Sequence, residues 1–232
     1  MNDEIQEELE KFAETIGLKF ENYDLLLNAF IHRSYLNENH KANLESNERL
    51  EFLGDAVLEL VVTEYLYATY QKPEGELTAI RSALVRGKHL SEIAQSIGLF
   101  DNILLSQGEK SGSEKSQSLI MANAFEALVG AIYLDQGYDA VKQFILKNVI
   151  SKTQEIINSK LYVDAKSEFQ EKVQEKFKFT PNYKVLDESG PDHNKKFICG
   201  VFIDGSLVAK GEGMSKNQAE QDAAQIALDK TF

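Results

Sequence analysis

The stretch LEFLGDAVLELVV at residues 50–62 decides how the first part of this chain folds. Apart from one glycine and three acids, every residue in it is apolar, and the apolar residues point all round a helix. Such a helix is expected to be buried. Glu51, Asp55 and Glu59 nevertheless recur every four residues, so they share one face of this helix. Glu48 lies on the same face. Carboxylates in apolar surroundings are costly unless a cation pairs with them.

A second apolar stretch, LIMANAFEALVGAIYL at residues 119–134, repeats the pattern. Its strongly polar side chains are Asn123 and Glu126, which are three residues apart and therefore on one face. If the two polar faces meet, they form the group of oxygen ligands that hard cations such as Mg²⁺ or Mn²⁺ need. The alternative is that the acids pair with nearby arginines or lie in a wet groove. Spacing alone leaves both interpretations open.

Other chemistries find less support in the sequence. The four histidines show no ligand spacing and Cys199 is the only cysteine, which disfavours a zinc site. No Glu-x-x-His motif of a di-iron bundle and no glycine-rich phosphate loop occurs. A single cysteine cannot form an internal disulfide, so a reducing, cytoplasmic location is expected.

Composition excludes several classes of protein. The chain has 232 residues, of which 43% are apolar and 27% charged, so it can bury a core. The acidic start, MNDEIQEELEKF, is unlike a secretory signal, and the apolar runs are short for a membrane span, so neither export nor a membrane is expected. The net charge of −12 argues against a general nucleic-acid binder.

The chain divides into two parts with different patterns. Residues 1–152 predict an all-α domain, residues 153–161 a linker, and residues 162–232 a small α+β domain of order α-β-β-β-α. The residues from 106 to 118 are polar and rich in Gly and Ser, and predict a loop. The predicted helices are 4–16, 23–35, 47–70, 76–86, 88–97, 117–134, 164–178 and 215–230. The predicted strands are NYKVLDE, KKFICGVFI and SLVAKGEG.

Two local signals fix the ends of elements in the second part. Asp204-Gly205 lies between the last two predicted strands and favours a tight hairpin turn, because glycine accepts positive φ. Ser215 and Gln218 fit a capping box at the start of the last helix.

Several segments resemble the bacterial-type ribonuclease III family. NERLEFLGDAVLEL at 47–60 closely resembles the family signature, and ANAFEALVGAIYLDQG at 122–137 resembles its second catalytic helix. HRSYLNE and PEGELTAIRSALV also look like family segments. In the C-terminal part, GPDHNKKF and GMSKNQAEQDAA resemble a double-stranded-RNA-binding domain.

The resemblance implies a Mg²⁺-dependent endoribonuclease, with Mn²⁺ as a substitute ion. Such an enzyme works as a homodimer and cleaves double-stranded RNA to 5′-phosphate and 3′-hydroxyl ends, processing structured precursors such as ribosomal RNA. A protein can recognise the shape of A-form RNA with few, well-placed charges. The net charge of −12 is therefore a weaker argument against binding of double-stranded RNA than against general nucleic-acid binding.

The resemblance also assigns roles residue by residue. Glu51, Asn123 and Glu126 are expected to ligate Mg²⁺, and Asp55 to ligate it or to act through water; Asp55 and Glu126 are the catalytic pair. The family comparison further implies that Glu48 and Glu74 line the cleft and that Phe52 reaches across the dimer interface.

Asn123 departs from the family, in which most members have Asp at this position. An amide oxygen can still ligate Mg²⁺, but it lacks the charge of a carboxylate. Either the lineage uses Asn naturally with the remaining acids, or the change impairs catalysis. In the second case the chain is a binding-only member of the family.

For RNA binding, the resemblance points to Gln170, Glu171 and His193 as minor-groove contacts. Lys216, at the start of the last helix, is expected to meet phosphate, with Lys195 and Lys196 nearby. Fewer basic residues flank Lys216 than in many members. We therefore expect RNA binding that is weaker and less dependent on salt.

Overall fold

The computed structural model describes residues 3–39, 44–158, 165–191 and 195–232. The chain forms two compact units, Met1–Tyr162 and Val163–Phe232, each with its own apolar core.

The first unit is built from helices. They are α1 (Asp3–Thr15), α2 (Tyr23–Ala29), α3 (Arg33–Glu38), α4 (Glu48–Thr69), α5 (Glu74–Leu84), α6 (Gly87–Ser96), α7 (Gln107–Lys110), α8 (Glu114–Asn148) and α9 (Thr153–Asn158). Short 3₁₀ turns at Phe100–Asn102 and Ile150–Lys152 join some of them. The all-α prediction for this part is confirmed, and the predicted helix at 47–70 matches α4 closely.

Two helices form the centre of the first unit. α4 and α8 pack along each other, and α6 and α2 cover further faces of α8. Gly137 interrupts α8 with a φ of +81°, a conformation that glycine adopts without strain, so the helix axis changes there. Helix α4 begins at a fixed point because the buried Asn47 donates its side-chain N–H to the carbonyl of Ala29 and its backbone N–H to that of Ile31.

Helix α4 is not buried all round, which corrects the expectation from its composition. Phe52, Leu60 and Tyr67 are 81%, 57% and 80% exposed. Their spacing places them along one side of the helix, opposite the side that packs on α8. A single chain therefore leaves a row of large apolar side chains in water.

Three other predictions differ from the structure in detail. The helix predicted over 23–35 is two helices, α2 and α3, separated by a backbone pairing of Ile31 with Leu104. The loop predicted over 106–118 contains α7 and the first turns of α8. Part of the predicted linker is α9, which packs against α5 and buries Ile156 in the core.

The second unit has the predicted order of helix, three strands and helix. Its elements are α10 (Ala165–Phe177), β1 (Asn182–Ser189), β2 (Lys196–Ile203), β3 (Ser206–Gly213) and α11 (Lys216–Thr231). The strands form one antiparallel sheet in the order β1-β2-β3. Both helices contribute to the core beneath it, through residues such as Phe169 and Ala223.

The predicted turn and cap are confirmed. Asp204 and Gly205 both have positive φ, +46° and +77°, as a two-residue hairpin requires. Ser215 accepts a hydrogen bond from the backbone N–H of Gln218, and the side-chain oxygen of Gln218 accepts one from the backbone N–H of Met214.

One helical stretch, within Glu114–Asn158, is long and apolar enough to cross a membrane by length and composition alone. Most of its apolar window is buried inside the protein, and the core helix of a globular domain passes the same test. It is therefore weak evidence for a membrane span.

Candidate active site

Two glycines let the backbones of α4 and α8 touch. A Cβ on Gly54 would lie 1.8 Å from the carbonyl oxygen of Glu126, and one on Gly130 would lie 2.3 Å from that of Leu50. No side chain fits in either place. Gly54 lies about one helical turn from Glu51, and Gly130 lies about one turn from Glu126, so this close approach brings polar residues of α4 near those of α8.

Glu126 is the most perturbed acid of this region. Burial raises its pKa to about 8, and the negative charges of Asp55 and Glu51 add to the effect. Carboxylates influence one another in this way only when they are close and poorly screened. Glu51 and Asp55 on α4 are thus near enough to Glu126 on α8 to act on its charge.

Asn123 joins this group through Glu51. Burial raises the pKa of Glu51, and the carboxylates of Glu48 and Asp55 raise it further. A side-chain hydrogen bond with Asn123 acts in the opposite direction, because an amide N–H that donates to a carboxylate favours its charged form. An Asp at position 123 would instead add a fourth negative charge.

A cleft of about 350 Å³ opens beside these residues. We call it the acidic cleft; its lining includes His32, Arg33, Glu48, Glu51, Glu109 and Asn123. Asp55 and Glu126 are coupled electrostatically to Glu51 but are not part of this lining.

Sequence reasoning missed two charged residues of the acidic cleft. Arg33 lies 3.6 Å from Glu48, whose other oxygen accepts a hydrogen bond from Ser46. Glu109, in α7, accepts a hydrogen bond from the hydroxyl of Ser116 in the first turn of α8. Arg33 stands in the segment HRSYLNE, which carried the family resemblance, and that was the available signal. Glu109 lies in the segment predicted as a polar loop.

Glu74 lies elsewhere in the monomer. It borders a separate pocket of about 450 Å³ together with Tyr67 and Arg81, and its carboxylate accepts a hydrogen bond from Thr78. Within one chain it therefore does not line the acidic cleft, which differs from the prediction. Phe52 is 81% exposed and also stays outside the cleft.

Of the arginines considered as alternative partners of the acids (Arg49, Arg81 and Arg86), the first two are engaged in other contacts. Arg49 pairs with Glu45 at 3.8 Å, and Arg81 donates to the hydroxyl of Thr63 at 3.1 Å. This weakens the interpretation that nearby arginines neutralise Glu51, Asp55 and Glu126.

The donor set fits a hard divalent cation in its chemistry. Three carboxylates and one amide offer oxygen ligands. The pKa of Glu126 is raised, first by burial and then by the charges of Asp55 and Glu51. Among the described ranges, no three His, Cys, Asp or Glu side chains already converge at ligand distance. The side chains would have to turn inward to bind an ion together.

In the second unit, the residues predicted to meet RNA fall into two groups. Gln170 and Glu171 are exposed on α10. The three lysines are engaged in ion pairs: Lys195 and Lys216 with Glu188, and Lys196 with Glu212. His193 lies outside the described residues.

A helical unit that carries acids on two touching helices, followed by an α-β-β-β-α unit, is the architecture of a nuclease joined to a reader of duplex RNA. Comparisons with known families agree. Residues 22–153 match the model described as ribonuclease-III-like, and residues 165–231 match the double-stranded RNA binding motif.

Relatives cover almost the whole chain. The protein named Ribonuclease 3 of Borreliella burgdorferi is 43% identical over 97% of this chain and 92% of its own length. Its counterpart in Anoxybacillus flavithermus is 45% identical over 95% of this chain and 92% of its own length. A solved nuclease domain of ribonuclease III from Campylobacter jejuni has a TM-score of 0.56 and 38% identity, covering 62% of this chain and 96% of that domain. This chain belongs to the ribonuclease III family of endoribonucleases.

Proposed function

We propose that this protein is a Mg²⁺-dependent endoribonuclease of the cytoplasm, able to use Mn²⁺ as a substitute, that cleaves double-stranded RNA to 5′-phosphate and 3′-hydroxyl ends. Its substrates are structured precursors such as ribosomal RNA. The observation that carries the proposal is the contact of α4 with α8 through Gly54 and Gly130, which joins the helices that bear Glu51, Asp55 and Glu126.

The chain's own residues prepare the site in two ways. Glu51, Asp55, Asn123 and Glu126 would supply the oxygen ligands of the ion, and Glu126 would have to lose its proton to serve as one of them. A bound Mg²⁺ supplies an activated water and stabilises negative charge on the phosphate. Because Glu126 has a pKa of about 8, cation binding is expected to strengthen as pH rises through that value.

A binding-only role is the second candidate, and Asn123 is the observation that favours it. The hydrogen bond from the amide favours the charged form of Glu51 and offsets part of the rise in its pKa, but an amide brings one negative charge fewer to the ion than a carboxylate. We favour the active enzyme because the other three acids are intact and lie together.

The experiment is incubation of the purified protein with long duplex RNA and Mg²⁺, followed by gel analysis of product lengths and ends. We expect cleavage by the parent chain and its loss in Glu126→Gln. Asn123→Asp should tighten Mg²⁺ binding and increase the cleavage rate about tenfold or more, as one added charged ligand allows. If the parent does not cleave and Asn123→Asp does, the binding-only role is correct.

We further propose that the chain acts as a homodimer through the exposed face of α4. Phe52, Leu60 and Tyr67 form an apolar row of the kind that marks an interaction surface. The solved relative from Campylobacter jejuni is described as having a region involved in dimer formation. Tyr67 of this face and Glu74 line the same pocket. In the proposed dimer, Glu74 would therefore lie close to the partner chain and contribute to a site there.

A further inference from the structure

The carboxylate of Glu188, at the end of β1, lies between two lysines that the sequence assigns to RNA binding. One oxygen is 2.8 Å from the ammonium nitrogen of Lys195, and the other is 3.5 Å from that of Lys216. Lys195 precedes β2 and Lys216 begins α11, so one acid joins two separate segments of the chain.

A phenylalanine ring completes this arrangement. Phe197 pairs with Glu188 across the β1-β2 ladder. The ammonium groups of Lys195 and Lys216 each lie 5.8 Å from the centre of its ring. Both lysines are therefore held near one point, with the carboxylate as their shared anion. The pKa of Glu188 is lowered, first by the hydrogen bond from Lys195 and then by the charges of both lysines.

A phosphate oxygen of RNA needs the same N–H donors that Glu188 now occupies. We propose that Glu188 acts as an internal substitute for phosphate, which occupies Lys195 and Lys216 in the free protein and thereby sets the affinity and salt dependence of duplex binding. This inference rests on the proposed binding of double-stranded RNA by the second unit. When a phosphate displaces the carboxylate, the freed carboxylate attracts cations from solution. The net release of cations on RNA binding is therefore smaller than for a lysine that had no partner in the free protein.

A purely structural role for Glu188 predicts the opposite result. If the carboxylate only positions the two lysines for RNA, its removal would loosen them and weaken binding. If it competes with phosphate, its removal strengthens binding. The sign of the change therefore separates the two roles.

The experiment measures binding of the full chain to a duplex RNA of about 30 base pairs, without divalent ions so that no cleavage occurs, over a range of KCl concentrations. We expect Glu188→Gln to lower Kd about three- to tenfold near physiological salt, and to steepen the slope of log K against log salt by about one. Asp187→Asn is the matched control. It removes the same charge from the neighbouring, exposed residue of the same strand, and we expect less than a twofold change.

A second variant separates release of the lysines from a general change in charge. In a protein that already carries Lys195→Ala and Lys216→Ala, adding Glu188→Gln should no longer strengthen RNA binding. Unchanged or weaker binding by Glu188→Gln, with its thermal unfolding as in the parent, would overturn the proposal, and so would an equal gain from Asp187→Asn. If the parent binds no duplex RNA even at low salt, RNA binding by this unit fails, and the role of Glu188 fails with it.

Discussion

Glu126 is half-buried, and the carboxylates of Asp55 and Glu51 on the other helix are near enough to act on its charge. Every cause that sets the pKa of Glu126 raises it, and no arginine or lysine of the described residues is among these causes. In the absence of a cation, Glu126 therefore holds a proton at neutral pH. A carboxylate with a strongly raised pKa is typical of sites that bind a ligand.

The first prediction concerns stability without divalent ions. Unfolded Glu126 loses its proton near pH 4.5, whereas folded Glu126 keeps it until about pH 8. Between these values the folded state binds more protons, so the free energy of unfolding should fall as pH rises from about 5 to 8. Glu126→Gln should flatten this decline, as followed by urea unfolding in EDTA. The exposed Glu59→Gln serves as the control, and a decline equally steep in Glu126→Gln would contradict the assignment.

The second prediction concerns His89, a residue with no part in the proposed chemistry. Its Nε2 is buried without a hydrogen-bond partner among the described residues, and burial lowers its pKa. Glu92, a hydrogen bond with the backbone of Val149, and Glu155 raise this pKa by smaller amounts, and the charge of Lys152 lowers it.

Because folded His89 binds a proton less readily than unfolded His89, stability should fall as pH drops through about 6.5. His89→Asn should remove this dependence, since Asn does not titrate. Denaturant midpoints of both proteins between about pH 7.5 and 5.5 provide the measurement. Parallel curves would show that another group causes the acid sensitivity.

At the level of elements, long periodic patterns were sufficient for prediction and short ones were not. The acids of α4 and α8 could be located because each apolar helix carries few polar residues. The break between α2 and α3 could not, since apolar spacing continues through Ile31 while a backbone pairing with Leu104, far along the chain, ends the helix. Glu109 was missed because it lies in a segment without periodicity, and Arg33 because the break after α2, which turns it toward the acidic cleft, was not predicted.

The third prediction tests the contact between α4 and α8. Gly54→Ala places a methyl group 1.8 Å from a backbone oxygen that cannot turn aside, so the helices must separate. We expect a loss of roughly 2–3 kcal/mol in the free energy of unfolding, together with loss of cleavage. Gly75→Ala is the control, because its Cβ would meet nothing within 4 Å. It should leave stability unchanged or raise it by up to about 1 kcal/mol. Equal stability of both variants would show that α4 and α8 are further apart.

For the molecule as a whole, charge and apolar surface are distributed unevenly. Residues 1–160 carry 15 basic and 25 acidic side chains, and residues 161–232 carry 10 and 12. The acidity belongs to the unit that we propose binds cations, and the second unit is nearly neutral. The apolar row on α4 lies on the first unit, so assembly and cation binding concern the same part of the chain.

The fourth prediction concerns this assembly. Phe52→Ala should weaken dimerisation by about 1–4 kcal/mol, as expected for an aromatic side chain at the centre of an interface. Sedimentation equilibrium across a range of protein concentrations measures the change. Phe179→Ala, an exposed phenylalanine of the second unit, is the control. A parent protein that stays monomeric at all concentrations would exclude the proposed interface.

The direct backbone contact at Gly54 and Gly130 has a consequence for how this site can vary among relatives. Helices locked at van der Waals distance cannot slide or rotate to accommodate a new ligand arrangement. Any tuning of ion preference must therefore come from exchanging individual side chains on a fixed frame. The amide at position 123, which the family resemblance marks as a departure from Asp, would be such an exchange.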